Sequence, residues 1–368
     1  MSQIKVLELF AGVGGFRLGL EGDNRGFSAT SKYRDALENK IPFEIIYSNQ
    51  WEPSTKAQHA ADVYTDYFGE RGFFNCNIDD LKIRDLQIPC DLLTAGFPCP
   101  DFSVASLRKN SKGLDGKKGM LWYSIVDLIK KLKAVKRQPT YLFFENVDRM
   151  LKSPHLSPGR DFRLILDSLH KMNYNLEWKV INAAEYGFPQ RRRRVFIFCY
   201  HKKSEINNIM QNFSPDEIIN SKGVISRAFP SSNKSFSSYD SESKFHDSGV
   251  MVNNKIHHAN TKTEYAGNRM NIRSILYRGR IPDDYFVPQE QITKWKIEKG
   301  AKRKQKFDKS GFSYIWSEGK IDFPDLIDKP SRTIITSEGG KSVSRIRHVI
   351  EHKKKLRRLL PIEIERLN

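Results

Sequence analysis

"LELFAGVGGFRLGLE" (7–21) decides how this chain folds. An apolar run of strand length gives way to glycines at 12, 14 and 15 and then to an amphipathic stretch. That is the pattern of a strand, a tight turn and a helix start. Glycine lets the backbone take left-handed dihedrals and come close to a ligand. The spacing is not the dinucleotide fingerprint, which places a third glycine three residues after the second, and no phosphate-loop lysine follows. A nucleotide-like ligand without a pyrophosphate fits this turn, and S-adenosylmethionine (AdoMet) is one. An ordinary glycine turn reads the same way when taken alone.

Outward from this unit, "FEIIYSN" (43–49), "CDLLTAGF" (90–97), "TYLFFENV" (140–147) and "RRVFIFCY" (193–200) are further apolar runs of strand length. Between them lie helical patterns at 120–135 and 161–172. Strands alternating with helices predict an α/β fold with a mostly parallel sheet, whose ligands bind beyond the carboxyl ends of the strands. After about residue 200 the pattern breaks. The serine-rich stretch 229–249 reads as loop, and 250–328 mixes aromatic and basic residues in a smaller, irregular domain. Order returns at 329–368.

The chain has 368 residues, enough for one large or two smaller domains. Its net charge is +19, with +7 on residues 1–200 and +12 on the shorter remainder, which suits a polyanionic partner. No run is apolar enough to span a membrane, and "MSQIKVLELF" lacks the parts of a secretory signal. Four scattered cysteines show neither disulfide nor metal-ligand spacing, which fits a reducing compartment.

Four segments carry chemistry. In "TAGFPCPDFS" (94–103), Pro98 and Pro100 fix the backbone around Cys99 just beyond a strand. A thiolate displayed there is a nucleophile, although isolated cysteines usually only pack. In "LFFENVDRM" (142–150), Glu145 stands at a strand end beside Asn146. It can share a proton with a ring nitrogen if burial raises its pKa; a solvated acid is the plainer reading. In "GFPQRRRRVFIF" (187–198), a strand would put Arg192 and Arg194 on one face and Arg191 and Arg193 on the other. One pair could hold a carbonyl or phosphate oxygen. After the second strand, "NQWEPS" (49–54) offers Gln50, Trp51 and Glu52 to a ribose and a base.

Together and in this order, these segments resemble the DNA (cytosine-5) methyltransferase family over residues 4–200 and 329–368. The resemblance implies a Rossmann-like AdoMet-dependent methyltransferase fold over 1–200, a target-recognition domain over 201–328, and a return segment over 329–368. It implies AdoMet as cofactor, held by Phe10, Gly12, Gly14, Gln50, Trp51, Glu52, Asn77 and Ile78. Cys99 would add to carbon 6 of a cytosine swung out of the duplex. Glu145 would act at ring nitrogen 3, with Arg194 on the 2-oxygen and Arg192 supporting the loop. Pro98, Ser103, Asn146 and Gln190 would line the substrate side. Arg269, Arg273, Arg278 and Arg280 are candidate DNA contacts.

Four departures stand out. Pro100 replaces the usual glutamine. Gln50 occupies the place of the ribose-binding acid, so either it or Glu52 takes that role. Asn77 stands where the family has an adenine-contacting aspartate, with Asp79 and Asp80 nearby. The chain stops at Asn368, before the family's Gly-Phe-Pro turn and Asn-Ser-Val helix. That predicts a fragment, or a piece completed by a second, C-terminal polypeptide. A bacterial cytoplasmic enzyme with a cognate restriction endonuclease is the expected setting. A tRNA cytosine as substrate is the alternative within the family, and a long basic 201–328 favours DNA over it. A non-catalytic DNA-binding role is the remaining alternative, which intact Cys99, Glu145 and Arg194 oppose.

Overall fold

The computed structural model describes residues 3–22, 42–97, 121–154, 157–238, 244–307 and 313–367. They form two compact units. The first takes the chain up to Ile181 together with Arg193–Ala266; the second takes Asn182–Arg192 and the chain from Gly267 onward. No helix among the described residues is long and apolar enough to cross a membrane.

The first unit is organised by one ten-stranded sheet. Its strands are β1 (Ile4–Leu9), β2 (Phe43–Asn49), β3 (Phe73–Phe74), β4 (Leu92–Ala95), β5 (Tyr141–Val147), β6 (Tyr174–Asn182), β8 (Arg193–His201), β9 (Ser231–Ser238), β10 (Ser248–Val252) and β11 (Lys255–Thr263); β7 (Gln190–Arg191) lies in the second unit. The order is β3-β2-β1-β4-β5-β8-β6-β10-β11-β9. The first five strands are all parallel. Their carboxyl ends therefore share one edge of the sheet. The chain leaves β1 for β2 on one side and returns to β4 on the other, so the strand order reverses between β1 and β4. A crevice for ligands opens at such a point.

Both faces of this half are covered, which is why its strands read as apolar runs. All four residues of β4 are buried, and Val6, Leu7 and Leu9 of β1 are fully so. The helix Leu121–Ala134 buries Trp122, Ile125, Val126, Leu128, Ile129 and Leu132, a three-four spacing on one face. The helix Arg160–Lys171 buries Phe162, Ile165, Leu166 and Leu169 in the same way. Each such side chain contributes about 1.5–3 kcal/mol relative to exposure.

Beyond β5 the sheet turns antiparallel: β8 runs against β5, β10 against β6, and β11 against both β10 and β9. The fold is α/β as expected, but the sheet is mixed. The expected break at residue 200 is not a break between the units, because β9, β10 and β11 extend the sheet of the first. The serine-rich stretch 229–249 is not loop throughout. Ser231–Ser238 forms β9, whose backbone pairs with β11 from Ser231 opposite Thr263 to Ser238 opposite His257. Ladder hydrogen bonds, not side-chain propensity, hold this outer strand.

In the second unit β7 pairs in parallel with β14 (Ser331–Arg332), and two antiparallel pairs form further two-stranded sheets: β12 (Lys302–Phe307) with β13 (Ser313–Glu318), and β15 (Val349–His352) with β16 (Lys355–Arg358). Its interior holds Ile272, Ile275, Ile350, Leu359 and Leu367. Arg357 and Glu363, both fully buried, form a bidentate pair with two contacts of 2.7 Å. This pair fixes β16 to the helix Pro361–Glu365.

Candidate active site

The glycine turn follows β1 at the carboxyl edge. Phe10 and Gly12 take left-handed backbones, with φ of 53° and 58°. Gly14 has φ of 92° and caps the helix Gly15–Glu21. A Cβ on Gly14 would lie 2.2 Å from Cε2 of Phe68, so only glycine fits. At Gly12 and Gly15 an added Cβ would meet nothing within 4 Å among the described residues, so none of them fills the space before the turn. Gln50 closes it from β2: its Oε1 accepts from Gly12 N–H at 2.8 Å. Gln50 is 9% exposed.

Trp51 and Glu52 follow. The Trp51 ring is 39% exposed. The Glu52 backbone is braced by the Gln58 amide at 2.8 and 2.9 Å, while its carboxylate has no partner among the described residues. Of the two residues offered for the ribose, Gln50 is occupied at Oε1 by the loop and Glu52 presents an uncommitted acceptor. Asn77 caps the turn Ile78–Asp80 by accepting from Asp79 N–H at 3.2 Å. The Ile78 side chain is 4% exposed and belongs to the core, which leaves only its backbone for a ligand. An open glycine backbone, an exposed indole and an uncommitted carboxylate at one sheet edge fit AdoMet.

Beneath the turn lies a buried network absent from the sequence reading. Glu8 of β1 is fully buried and accepts from Tyr64 Oη–H at 3.0 Å and from Arg17 N–H at 3.3 Å. Burial pushes its carboxyl up to about 7, opposed by those hydrogen bonds. Ser48 Oγ lies 2.5 Å from the same phenol, and Arg17 bonds both Tyr64 and Glu21. An acid at the penultimate position of "IKVLEL", inside a strand covered on both faces, was the available signal.

The catalytic candidates gather beyond β4 and β5. Parallel register sets Ala95 opposite Phe144, which brings Gly96 beside Glu145. A Cβ on Gly96 would sit 3.8 Å from Glu145 Oε2. Phe97 is 4% exposed, and its ring packs 5.6 Å from that of Trp122. Asn146, 2% exposed, donates from Nδ2 to Phe97 O at 3.3 Å and accepts from Val147 N–H at 2.8 Å. Its amide thus ties the end of β5 to the segment leaving β4. Pro98, Cys99 and Ser103 lie outside the described residues.

Antiparallel register sets Arg194 opposite Val147, diagonal to Glu145. Arg194 Nε meets Glu145 Oε1 at 2.8 Å, with the side chains 19% and 23% exposed. Arg193 pairs instead with Asp148 at 3.1 Å. The arginine run is not one strand: β7 ends at Arg191, β8 begins at Arg193, and Arg192 turns between them, its N–H donating to Gln190 O. The expected sharing of a face by Arg192 and Arg194 therefore does not follow from strand alternation. Arg192 falls in the second unit, where its carbonyl accepts from Ala183 N–H at 3.0 Å. Gln190, 1% exposed, bonds Leu367 O at 3.0 Å and Ile334 N–H at 3.1 Å. That geometry makes it a strut of the second unit. Arg269, Arg273, Arg278 and Arg280 are all exposed there.

The three described cysteines have environments that disfavour the thiolate. Burial raises the thiols of Cys76 and Cys199 and pushes Cys90 up to about 12.

The comparisons with known proteins bear on this geometry. The model of the family "C-5 cytosine-specific DNA methylase" matches residues 4–368. The chain is 38% identical over 386 aligned positions to the Type II methyltransferase M.Sau3AI of Staphylococcus aureus, covering 100% of this chain and 87% of that one. It is 29% identical to the Type II methyltransferase M.HhaI of Haemophilus parahaemolyticus over 56% of this chain and 52% of that one. Among solved structures, the S. pombe Dnmt2 methyltransferase superposes with a TM-score of 0.57 at 18% identity, covering 99% of this chain and 86% of its own, a likeness of fold. The chain belongs to the C-5 cytosine-specific DNA methylase family: it is an enzyme that transfers a methyl group from AdoMet to carbon 5 of cytosine in DNA.

Proposed function

We propose that the chain methylates a cytosine turned out of a specific duplex DNA sequence, with Cys99 as a covalent nucleophile. A ring carbon inside the stack is out of reach, so the base must be extruded. The observation that carries this reading is the Glu145–Arg194 pair beside Gly96 at the carboxyl edge of the sheet. Cys99 follows Phe97 by two residues, and two residues span at most about 7 Å. Phe97 is anchored in the core and held by Asn146, so the segment that carries the thiol starts from a fixed point.

The Cys99 thiolate adds to carbon 6 of the cytosine, and the electron pair of the 5,6 double bond moves toward carbon 5 and the N3–O2 system. Glu145 hydrogen-bonds or protonates nitrogen 3, and Arg194 holds the 2-oxygen while orienting Glu145. When bound, AdoMet supplies an electrophilic methyl on a sulfonium. Once carbon 5 is methylated, its proton leaves to solvent, the carbon–sulfur bond breaks, and Cys99 is restored as thiolate. Glu52 accepts from the ribose hydroxyls, and Gln50 holds the glycine turn in shape. Arg192 supports the chain segment that precedes Arg194.

Target recognition falls on the part of 201–328 that lies in the second unit, 267–328, where the basic residues are exposed. The Type II relatives support a bacterial cytoplasmic setting and a cognate endonuclease. The test is transfer of labelled methyl from AdoMet to duplex DNA. The intact chain incorporates label. Cys99→Ser abolishes it, and Glu145→Gln lowers turnover by about 100-fold or more while duplex affinity stays within a few-fold. Label on RNA but not on DNA, or a Glu145→Gln rate near the intact chain's, would refute the reading.

A further inference from the structure

The pair β12–β13 is a two-stranded sheet with no third strand among the described residues. Its register pairs Arg303 with Ser317, Gln305 with Ile315 and Phe307 with Ser313. Directly paired residues of an antiparallel ladder share a face. These six side chains therefore form one face, and all six are exposed, with Ile315 at 59% and Phe307 at 68%. The opposite face carries Lys302, Lys304 and Lys306 against Glu318, Trp316 and Tyr314. It is the face that holds the ribbon in place. Lys302 meets Glu298 of the helix Ile292–Lys299 at 2.6 Å. Arg345 bonds Glu318 at 2.9 Å, Glu298 O at 3.0 Å and Gly300 O at 2.7 Å. Lys306 lies over the Trp316 ring at 4.2 Å. The base is clamped, and Arg303, Gln305 and Ile315 on the other face are exposed among the described residues.

We propose that this face of β12–β13 enters the major groove of the substrate duplex and reads its sequence. The inference rests on the reading above that the target is a specific DNA sequence. The charge is complementary: β12 carries four cations and no acid, and Glu318, the acid of β13, is already paired. The shape is suitable, since the major groove admits a two-stranded ribbon. The chemistry of the face matches base edges. Arg303 presents a fork for guanine O6 and N7. Gln305 presents an amide for adenine N6 and N7. Ile315 presents apolar surface to a thymine methyl. Exposed isoleucine and phenylalanine amid cations are costly to leave in water and gain cover in such a groove. Lys304, exposed on the opposite face, contacts phosphate and adds affinity without selectivity.

The test is methylation of a randomised duplex library by the intact protein, sequenced to give the preference at each base pair. Arg303→Ala and Gln305→Ala each reduce the preference at one position by about 10- to 100-fold. Arg303→Lys keeps the charge but loses the fork, so it lowers the same preference without changing the salt dependence of binding. Lys304→Ala weakens binding to all duplexes alike and lowers the slope of log K against log salt by about 1. Selectivity that survives Arg303→Ala with Gln305→Ala in a chain of intact activity overturns the inference and leaves the proposed function standing. A chain that methylates no duplex overturns both.

Discussion

Gly14→Ala separates two costs that the structure superimposes at one atom. The first is backbone: φ at this residue is 92°, and an alanine held in the left-handed region costs about 1–2 kcal/mol. The second is overlap. The new Cβ would lie 2.2, 2.9 and 3.2 Å from Cε2, Cζ and Cδ2 of Phe68. Carbon contacts settle near 3.5–4.0 Å, so the ring must move by more than about 1 Å. It packs against Tyr64 at 4.9 Å, Tyr67 at 4.6 Å and the Arg17 guanidinium at 4.6 Å, contacts that a moving ring must disturb. Forcing a packed ring aside costs about 1–3 kcal/mol. The expected total is about 2–5 kcal/mol of stability, with weaker AdoMet binding because the displaced backbone is the turn itself. Chemical denaturation and AdoMet titration calorimetry read the two effects. Phe68→Ala removes the overlap but not the dihedral, so Gly14→Ala should cost only about 1–2 kcal/mol in that background. Equal costs in both backgrounds would refute the steric argument, and an unchanged AdoMet affinity would refute the placement of the turn at the cofactor.

Three further outcomes follow from the site. Burial holds the Glu8 carboxyl at about 7, above its unfolded value of 4.5, so the native state binds the proton more tightly. Stability should then fall by about 3 kcal/mol as pH rises from 4.5 through 7, and Glu8→Gln should remove that part of the slope in denaturation curves at pH 5 and 8; parallel curves would contradict it. Glu52→Gln should raise the AdoMet Kd by about 10-fold, through loss of a charge-assisted acceptor, with turnover at saturation nearly unchanged; an unaltered Kd would return the ribose to Gln50. Asn146→Ala frees the Phe97 carbonyl and should lower kcat by about 10- to 100-fold with little change in AdoMet KM, whereas an unchanged kcat would deny Asn146 its positioning role.

In the parallel half of the sheet β1, β2, β4 and β5 were readable as apolar runs each followed by a recognisable turn or helix, whereas the two-residue β3, Phe73–Phe74, is too short to leave a pattern. Pairing direction is not written in an apolar run, so "RRVFIFCY" gave a strand but not its antiparallel seat beside β5. Ser231–Ser238 was missed because backbone bonds to β11, which depend on distant residues, hold it. In the site, Glu145, Arg194 and the glycine turn could be read because the chemistry requires those residue types at strand ends. Gln190 and Asn146 could not be assigned their roles, since both spend their amides on carbonyls or N–H groups that only folding brings near. The Arg192 turn was hidden by the uniform arginine run.

The central claim is a covalent bond between the enzyme and the base. Incubating the intact protein with AdoMet and its preferred duplex carrying 5-fluorocytosine at the target position blocks loss of the substituent at carbon 5 and traps the adduct. Intact-mass and peptide mass spectrometry should find one enzyme chain bonded to one DNA strand through Cys99, with Cys99→Ser giving no adduct. An adduct at Cys76, Cys90 or Cys199, or active methylation with no adduct at all, would contradict the account.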